Sequence, residues 1–528
     1  MKSKMLKFGS TGIAAAMAFA LLAGCGGNDG NGNKEAATNS ASPVPSSSGE
    51  STASASADTP DISKKVEVKM YLAGDAAADS PLVEQELNKL LEKDLNATLK
   101  IINIPWADWG TKYPLILTSG EKYDLVYASN WAGFSDYARK GAFMAIDDLL
   151  PKYAPAIMKQ LPSEAWDEVK IDGKIVGIPS YQDDYVTDAM VVRGDLREKY
   201  GVPPVTDLDS LGVYLDAVKK NEPNLVPLDA NASEDLLIPT TPYEIVDGAI
   251  YANSYEDLKT GNINHLAFMD AFEPFVKRMK EWNDKGYFSR GMLTNKGYSY
   301  GSYEKGTSAV GIGNTGQIFS ALANTQITHP EWKSEFVSFR LKTKAGVHKL
   351  SFMSEGMAVG RFAENPERAL MVMDKLRTDK TYYNLFHYGI EGRNYIINAE
   401  GKRDNPPGVT PDKNGYLANN NGQWGFIVTS METQDANEWP DKRKIINPQF
   451  DEFTTPDLMG RFVFNRDNVK AELAAMSQVY IQYAKPLKWG FTKDPAKDIE
   501  NLRNKLKAAG SDKVLAELKQ QLVAYFNQ

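Results

Sequence analysis

Between residues 66 and 129 the chain alternates strand and helix signals, and this alternation restricts the fold more than any other feature of the sequence. Residues 66–72 (VEVKMYL) alternate with β-rich side chains, and Ser80-Pro81 opens a helix with Val83, Leu87, Leu90 and Leu91 on one face. Residues 97–104 (ATLKIINI) form a second strand, and residues 123–129 (YDLVYAS) a third after another helical stretch. The order strand, helix, strand, helix, strand predicts an α/β fold with a mainly parallel sheet. Ligands of such sheets bind beyond the carboxyl ends of the strands, which directs attention to Pro105-Trp106 and Asn130-Trp131. The chain has 528 residues. Single cores stop growing at roughly 250–300 residues, so at least two lobes are expected, with a cleft between them. Further along, residues 265–282 carry Phe268, Phe272, Val276 and Met279 at helical spacing. Residues 498–509 end at Gly510, and a last helix aligns Leu515, Leu518, Leu522 and Tyr525; these helices read as packing.

The 60 Lys and Arg against 68 Asp and Glu give a net charge of -8, which argues against a nucleic-acid partner, since phosphate-backbone binding needs clustered cations. The single cysteine, Cys25, excludes an intramolecular disulfide framework, a Cys-rich zinc site and an iron–sulfur cluster. Its position is informative. Lys2, Lys4 and Lys7 make a basic start and residues 13–22 (IAAAMAFALL) an apolar run, far short of the roughly 20 residues that span a bilayer, so residues 1–24 read as an export signal. Leu22-Ala23-Gly24-Cys25 resembles the bacterial lipobox, whose Cys becomes the lipidated first residue of the mature protein. Residues 25–63, rich in Gly, Asn, Ser, Ala, Thr and Pro, cannot bury enough apolar surface to offset their ordering entropy and read as a flexible tether.

Catalytic motifs are sparse. His265, His329, His348 and His387 show no HxH or HExxH spacing, and neither GxSxG nor GxxxxGK[ST] occurs. Gly311-Ile312-Gly313-Asn314-Thr315-Gly316 matches GxGxxG between a predicted strand and a helix from Gln317, but a lone match without a nicotinamide supply outside the cell is a poor cofactor signal. A glycine-rich turn at a helix start can instead offer backbone N–H groups to ligand oxygens. Asp183-Asp184 has the composition of a glycosidase acid and base, yet adjacent residues rarely present both carboxyls to one bond. Asp147-Asp148 reads as a helix start or surface turn. The positive signal is aromatic. Trp106, Trp109, Trp131, Tyr181, Tyr185, Tyr388, Tyr395 and Trp424 fall in loop-like segments beside polar residues, as stacking on sugar C–H faces and hydrogen bonding to sugar hydroxyls require.

Residues 141–150 (GAFMAIDDLL), 172–179 (DGKIVGIP), 193–201 (RGDLREKYG), 304–310 (EKGTSAV) and 365–370 (NPERAL) follow one another as in the extracellular solute-binding proteins of carbohydrate ABC importers, the maltose-binding-like family. The tail, from residues 388–392 (YGIEG) to Gly510, resembles the longer lipoprotein branch of Gram-positive bacteria. The resemblance implies a two-lobed, hinged periplasmic-binding-protein-like fold, with residues 64–180 plus about 340–425 in lobe one and 181–339 plus about 426–528 in lobe two. It places Asn130, Trp131, Tyr181, Gln182, Asp183, Asn314, Gln317, Glu355 and Arg393 around the ligand. The turn at Gly313-Asn314-Thr315-Gly316 departs from the tryptophan that many maltose-type relatives carry, so the aromatic platform is expected to differ. The implied protein is a non-enzymatic monomer, lipid-anchored through Cys25 on the outer face of the cell membrane, without cofactor or metal, that hands an oligosaccharide to ABC permease subunits. A surface carbohydrate-active hydrolase and a receptor for peptides or other solutes are the alternatives.

Overall fold

The computed structural model describes residues 60–527 apart from residues 296, 419–421 and 461, so the export signal, Cys25 and nearly all of the tether lie outside the described residues. The strand β1 (Val66–Ala73) ends in four consecutive buried residues, as a strand covered on both faces requires. The helix α1 (Ser80–Leu95) starts with proline in its first turn and buries Val83, Leu87, Leu91 and Leu95 at four-residue spacing. Each such leucine contributes about 1.5–3 kcal/mol when withdrawn from water. Asn96, left-handed at φ 47°, stops the helix and turns the chain into β2 (Ala97–Ile104).

β2 runs parallel to β1 from the Val66–Ala97 pair to the Ala73–Ile104 pair. The helix α2 (Trp106–Thr118) returns the chain to β3 (Leu125–Ala128), parallel to β1 on its other side. The strand Gly356–Val359 adds to β3 in the antiparallel sense, and Ile178–Pro179 pairs antiparallel beyond it. The predicted mainly parallel sheet thus carries one reversed strand. One edge of the sheet gathers the carboxyl ends of β1, β2, β3 and Ile178–Pro179 with the amino end of Gly356–Val359.

A second sheet aligns Val310–Asn314 and Glu335–Val337 antiparallel on either side of Asp188–Val192. Two large hydrophobic cores follow these sheets. One draws its buried residues from Val68 to Ile178 and from Met353 to Phe426, the other from Met190 to Phe339 and from Phe464 to Leu518. The C-terminal helices Pro495–Ala508 and Ser511–Phe526 bury Ile499, Leu502, Leu506, Val514 and Leu518 in the second core. The chain passes between the cores three times, and the passages lie side by side: Tyr181 bridges Val428 in parallel and Tyr185 bridges Lys349 antiparallel.

The helix expected over residues 265–282 begins later. His265 closes the strand Ile263–His265, and the helix spans Phe272–Asp284. Pro274 has no amide hydrogen and disfavours helical backbone at the residue before it, so it fits only a first turn.

Candidate ligand-binding site

Four tryptophans from three separate segments converge on the gathered edge of the first sheet. Trp106 follows β2 and Trp109 lies three residues along α2; Trp131 follows β3; Trp424 sits in the short 3-10 turn Gln423–Phe426. Trp106 lies 5.8 Å from Trp109, 6.1 Å from Trp131 and 5.8 Å from Trp424, centroid to centroid. Trp109 and Trp131 are 5.6 Å apart, and Trp109 stacks on Tyr113 at 4.2 Å. The wall is supported from behind by the buried ring of Tyr127, 5.7 Å from Trp131 and 6.2 Å from Trp424. Two glycines make this approach possible. A Cβ on Gly74, at φ +94°, would press on the Trp106 indole at 3.2 Å, and one on Gly422, at φ +86°, would lie 2.4 Å from the Ala73 carbonyl oxygen.

Such a wall is costly to leave wet. Trp131 is 50% exposed and Trp106 39% exposed, at the place where α/β sheets present ligands. Beneath it, at the amino end of Gly356–Val359, the Tyr127 hydroxyl bonds the half-buried Glu355 carboxyl. Burial pushes that carboxyl up to about 8 from the ordinary 4.5, so Glu355 is mostly an uncharged acid at neutral pH, able to donate as well as accept. Asn130 donates from Nδ2 to Ser351 Oγ at 3.0 Å, and its own backbone N–H bonds the Met353 carbonyl at 2.9 Å, which fixes the turn that carries Trp131.

The other sequence-selected residues divide into two groups. Tyr181, 39% exposed, stacks on Phe352 at 5.6 Å at the mouth of the crossing, and Gln182 reaches the Trp424 carbonyl at 3.4 Å. Asp183 and Asp184 lie on the crossing itself. Lys349 of the adjoining passage pairs with Asp183 at 2.9 Å, and Lys442, at the start of the helical turn Lys442–Ile446, with Asp184 at 2.5 Å, so both carboxylates are engaged by cations. Arg393 holds Asp79 with two bonds of 2.8 and 2.9 Å, joined by Asn394 at 2.8 Å, and these bonds keep the Asp79 carboxyl below the usual carboxylate range. This also explains why Asp79, directly before α1, makes no side-chain cap.

Asn314 and Gln317 stand at the crossing end of the second sheet, where Asn314 pairs with Asp188. They form a reciprocal capping box on the helix Thr315–Thr328: Gln317 N–H donates to Asn314 Oδ1 and Asn314 N–H to Gln317 Oε1, both at 3.0 Å. The first glycine of the GxGxxG run is explained by packing. A Cβ on Gly311 would lie 2.8 Å from the Tyr300 Cα.

Tyr185, Tyr388 and Tyr395 are buried, the last two 5.7 Å apart in a small core of their own. Asp147 lies in a turn and accepts from the N–H of Ile175, in the strand Lys174–Ile175, at 3.2 Å. Burial pushes His265 down to about 4, and His348 bonds Glu244 at 2.8 Å. Among the described residues no group of three or more His, Cys, Asp and Glu side chains is arranged to hold a metal ion.

Arg466 links the two lobes away from the crossing. Arg466, beside Phe464 of the second core, reaches Asp136 at 3.0 Å and Asp247 at 2.5 Å. Asp136 belongs to the helix Phe134–Arg139, whose Phe134 and Ala138 lie in the first core, whereas Val246 beside Asp247 packs on the second.

Residues 72–381 match the family model described as bacterial extracellular solute-binding protein, and residues 458–527 match a domain of unknown function, DUF3502. A carbohydrate ABC transporter substrate-binding protein of Streptococcus pneumoniae serotype 4 (strain ATCC BAA-334 / TIGR4) is 25% identical over 477 residues, 87% of this chain and 91% of that protein. The lipoprotein LipO of Bacillus subtilis (strain 168) is 22% identical over 343 residues, 60% of this chain and 66% of that protein. The crystal structure of the N-glycan transport solute-binding protein NgtS from Streptococcus pneumoniae shares the fold, with a TM-score of 0.72 at 21% identity over 88% of this chain and 100% of that one. NgtS has also been solved in complex with Man5GlcNAc.

Proposed function

The chain belongs to the bacterial extracellular solute-binding proteins, and from that premise we propose that it is the capture subunit of an oligosaccharide importer. The wall formed by Trp106, Trp109, Trp131 and Trp424 carries the proposal. Flat, rigid and partly exposed indoles stack on the apolar faces of sugar rings and lose little conformational entropy in doing so. Asn130, Tyr181, Gln182 and the Glu355 carboxyl supply hydrogen-bonding groups around the wall. Asn314 and Gln317 face ligand from the second lobe through whatever donor capacity their capping box leaves. Asp183 and Arg393 serve the frame, through Lys349 and Asp79.

Ligand touching both lobes favours the closed arrangement by its differential affinity, and the three adjacent passages near Tyr181, Lys349 and Val428 act as the hinge. The protein is a binder rather than an enzyme, anchored outside the cell through Cys25 as a monomer, and it delivers its glycan to ABC permease subunits. The curated Streptococcus relative, described as a carbohydrate ABC transporter substrate-binding protein, supports this reading, as do NgtS with its Man5GlcNAc ligand and the lipoprotein LipO. Calorimetric titration of the mature chain against neutral mannose- and GlcNAc-containing oligosaccharides tests it. Saturable binding with no shortened glycan on chromatography is expected; hydrolysis products would replace the receptor with a hydrolase.

A further inference from the structure

The segments that build the aromatic wall have an unusual charge inventory. Residues 105–113, 125–134, 349–356 and 422–428 contain two basic side chains, Lys112 and Lys349. Lys112 is taken by Asp108 at 2.8 Å and Lys349 by Asp183 at 2.9 Å. The remaining ionisable carboxyl in these segments is Glu355, set into the floor against the Tyr127 hydroxyl. On the second lobe, the crossing end of the sheet presents the uncharged Asn314, with Gln317 in the helix that follows, beside Asp188, whose charge Arg340 takes at 3.3 Å.

We propose that this site is selective for uncharged glycans and discriminates against glycans bearing carboxylates, such as uronate chains, a proposal that rests on the glycan-capture reading. A carboxylate entering the cleft gives up its water and needs a cation to replace it. Lys112 and Lys349 can serve only by loosening their exposed pairs with Asp108 and Asp183, which leaves an acid close beside the incoming carboxylate. Glu355, set against the Tyr127 hydroxyl, supplies no positive charge to a ligand carboxylate and meets a neutral hydroxyl as donor or acceptor. Arg393, the other cation singled out in the sequence, is held bidentate by Asp79, and bidentate pairs are the most expensive to break.

The test is a binding panel on the mature wild-type protein near neutral pH and at low ionic strength, where any available cation has its greatest reach. Chains matched in length, neutral mannose- and GlcNAc-containing on one side and alginate oligosaccharides on the other, are titrated by calorimetry. The expected result is binding of a neutral chain with the uronate chains weaker by more than about ten-fold, a gap of about 1.4 kcal/mol. Uronate binding equal to or tighter than neutral binding overturns the selectivity and leaves the capture function standing. No binding of either series overturns both.

Discussion

The indole rings of Trp106 and Trp424 stack 5.8 Å apart with their planes inclined by 22°, joining the start of α2 to a turn more than three hundred residues later. Trp424 is therefore the support that holds Trp106 partly exposed at the end of the sheet. Trp424→Ala is expected to cost about 0.5–1.5 kcal/mol of glycan affinity through the loss of this pair. Calorimetry and near-ultraviolet circular dichroism on the same variant check it, the second reporting the altered indole environment.

Glu355 gives a pH signature in stability. Its folded-state value of about 8 lies above the ordinary 4.5, so between these limits the folded protein holds a proton that the unfolded chain releases. The contribution is complete below about pH 4.5 and is lost as pH rises through about 8. Glu355→Gln, which cannot ionise, should therefore melt at a higher temperature than the wild type at alkaline pH, with the difference shrinking as pH falls. Melting curves of both proteins across this range measure it, and a difference that grows toward acid would contradict the assignment.

The Arg466 bridge to Asp136 and Asp247 ties the C-terminal region to the first lobe. All three side chains are partly exposed, and such pairs contribute about 0.2–1 kcal/mol. Arg466→Ala is expected to lower glycan affinity by a factor of about 1.4 to 5, mainly through faster dissociation, with the loss fading at high salt. Stopped-flow dissociation at two ionic strengths reads both effects.

Cys25→Ser removes the chain's single thiol, and with it the proposed site of lipidation. The variant should fold and bind glycan as the wild type does but appear in the culture medium. Retention in the membrane fraction would place the anchor elsewhere.

Local signals carried much of the fold. The boundaries of α1 and β2 follow from Pro81, Asn96 and apolar spacing, all of which act within a few residues. The late start of the helix at Phe272 was readable in Pro274 but was masked by the apolar stripe that begins earlier. The site was only half legible. Strand ends pointed to Trp106 and Trp131, and the placement of Trp424 beside them depends on the strand Gly356–Val359 joining the sheet next to β3. Tyr127 drew no attention because a tyrosine inside a buried strand looks like core, and its bond to Glu355 spans 228 residues. Asp183 and Arg393 show the converse: an acid or a base near a cleft looks available until its partner, Lys349 or Asp79, is brought in by the fold. The Asn314 and Gln317 capping box, in contrast, is a local N-x-x-Q pattern that the sequence displays openly.

The central claim is that glycan is captured against the tryptophan wall, and calorimetric titration of Trp131→Ala beside the wild type tests it most directly. Trp131 is 50% exposed, so its removal should leave the melting temperature of the unliganded protein nearly unchanged. Affinity for a neutral oligosaccharide that binds the wild type should fall by about 1–3 kcal/mol, as for other aromatic anchors. Unchanged affinity together with a lowered melting temperature would make Trp131 a packing residue and would contradict the assignment of the wall as the binding site.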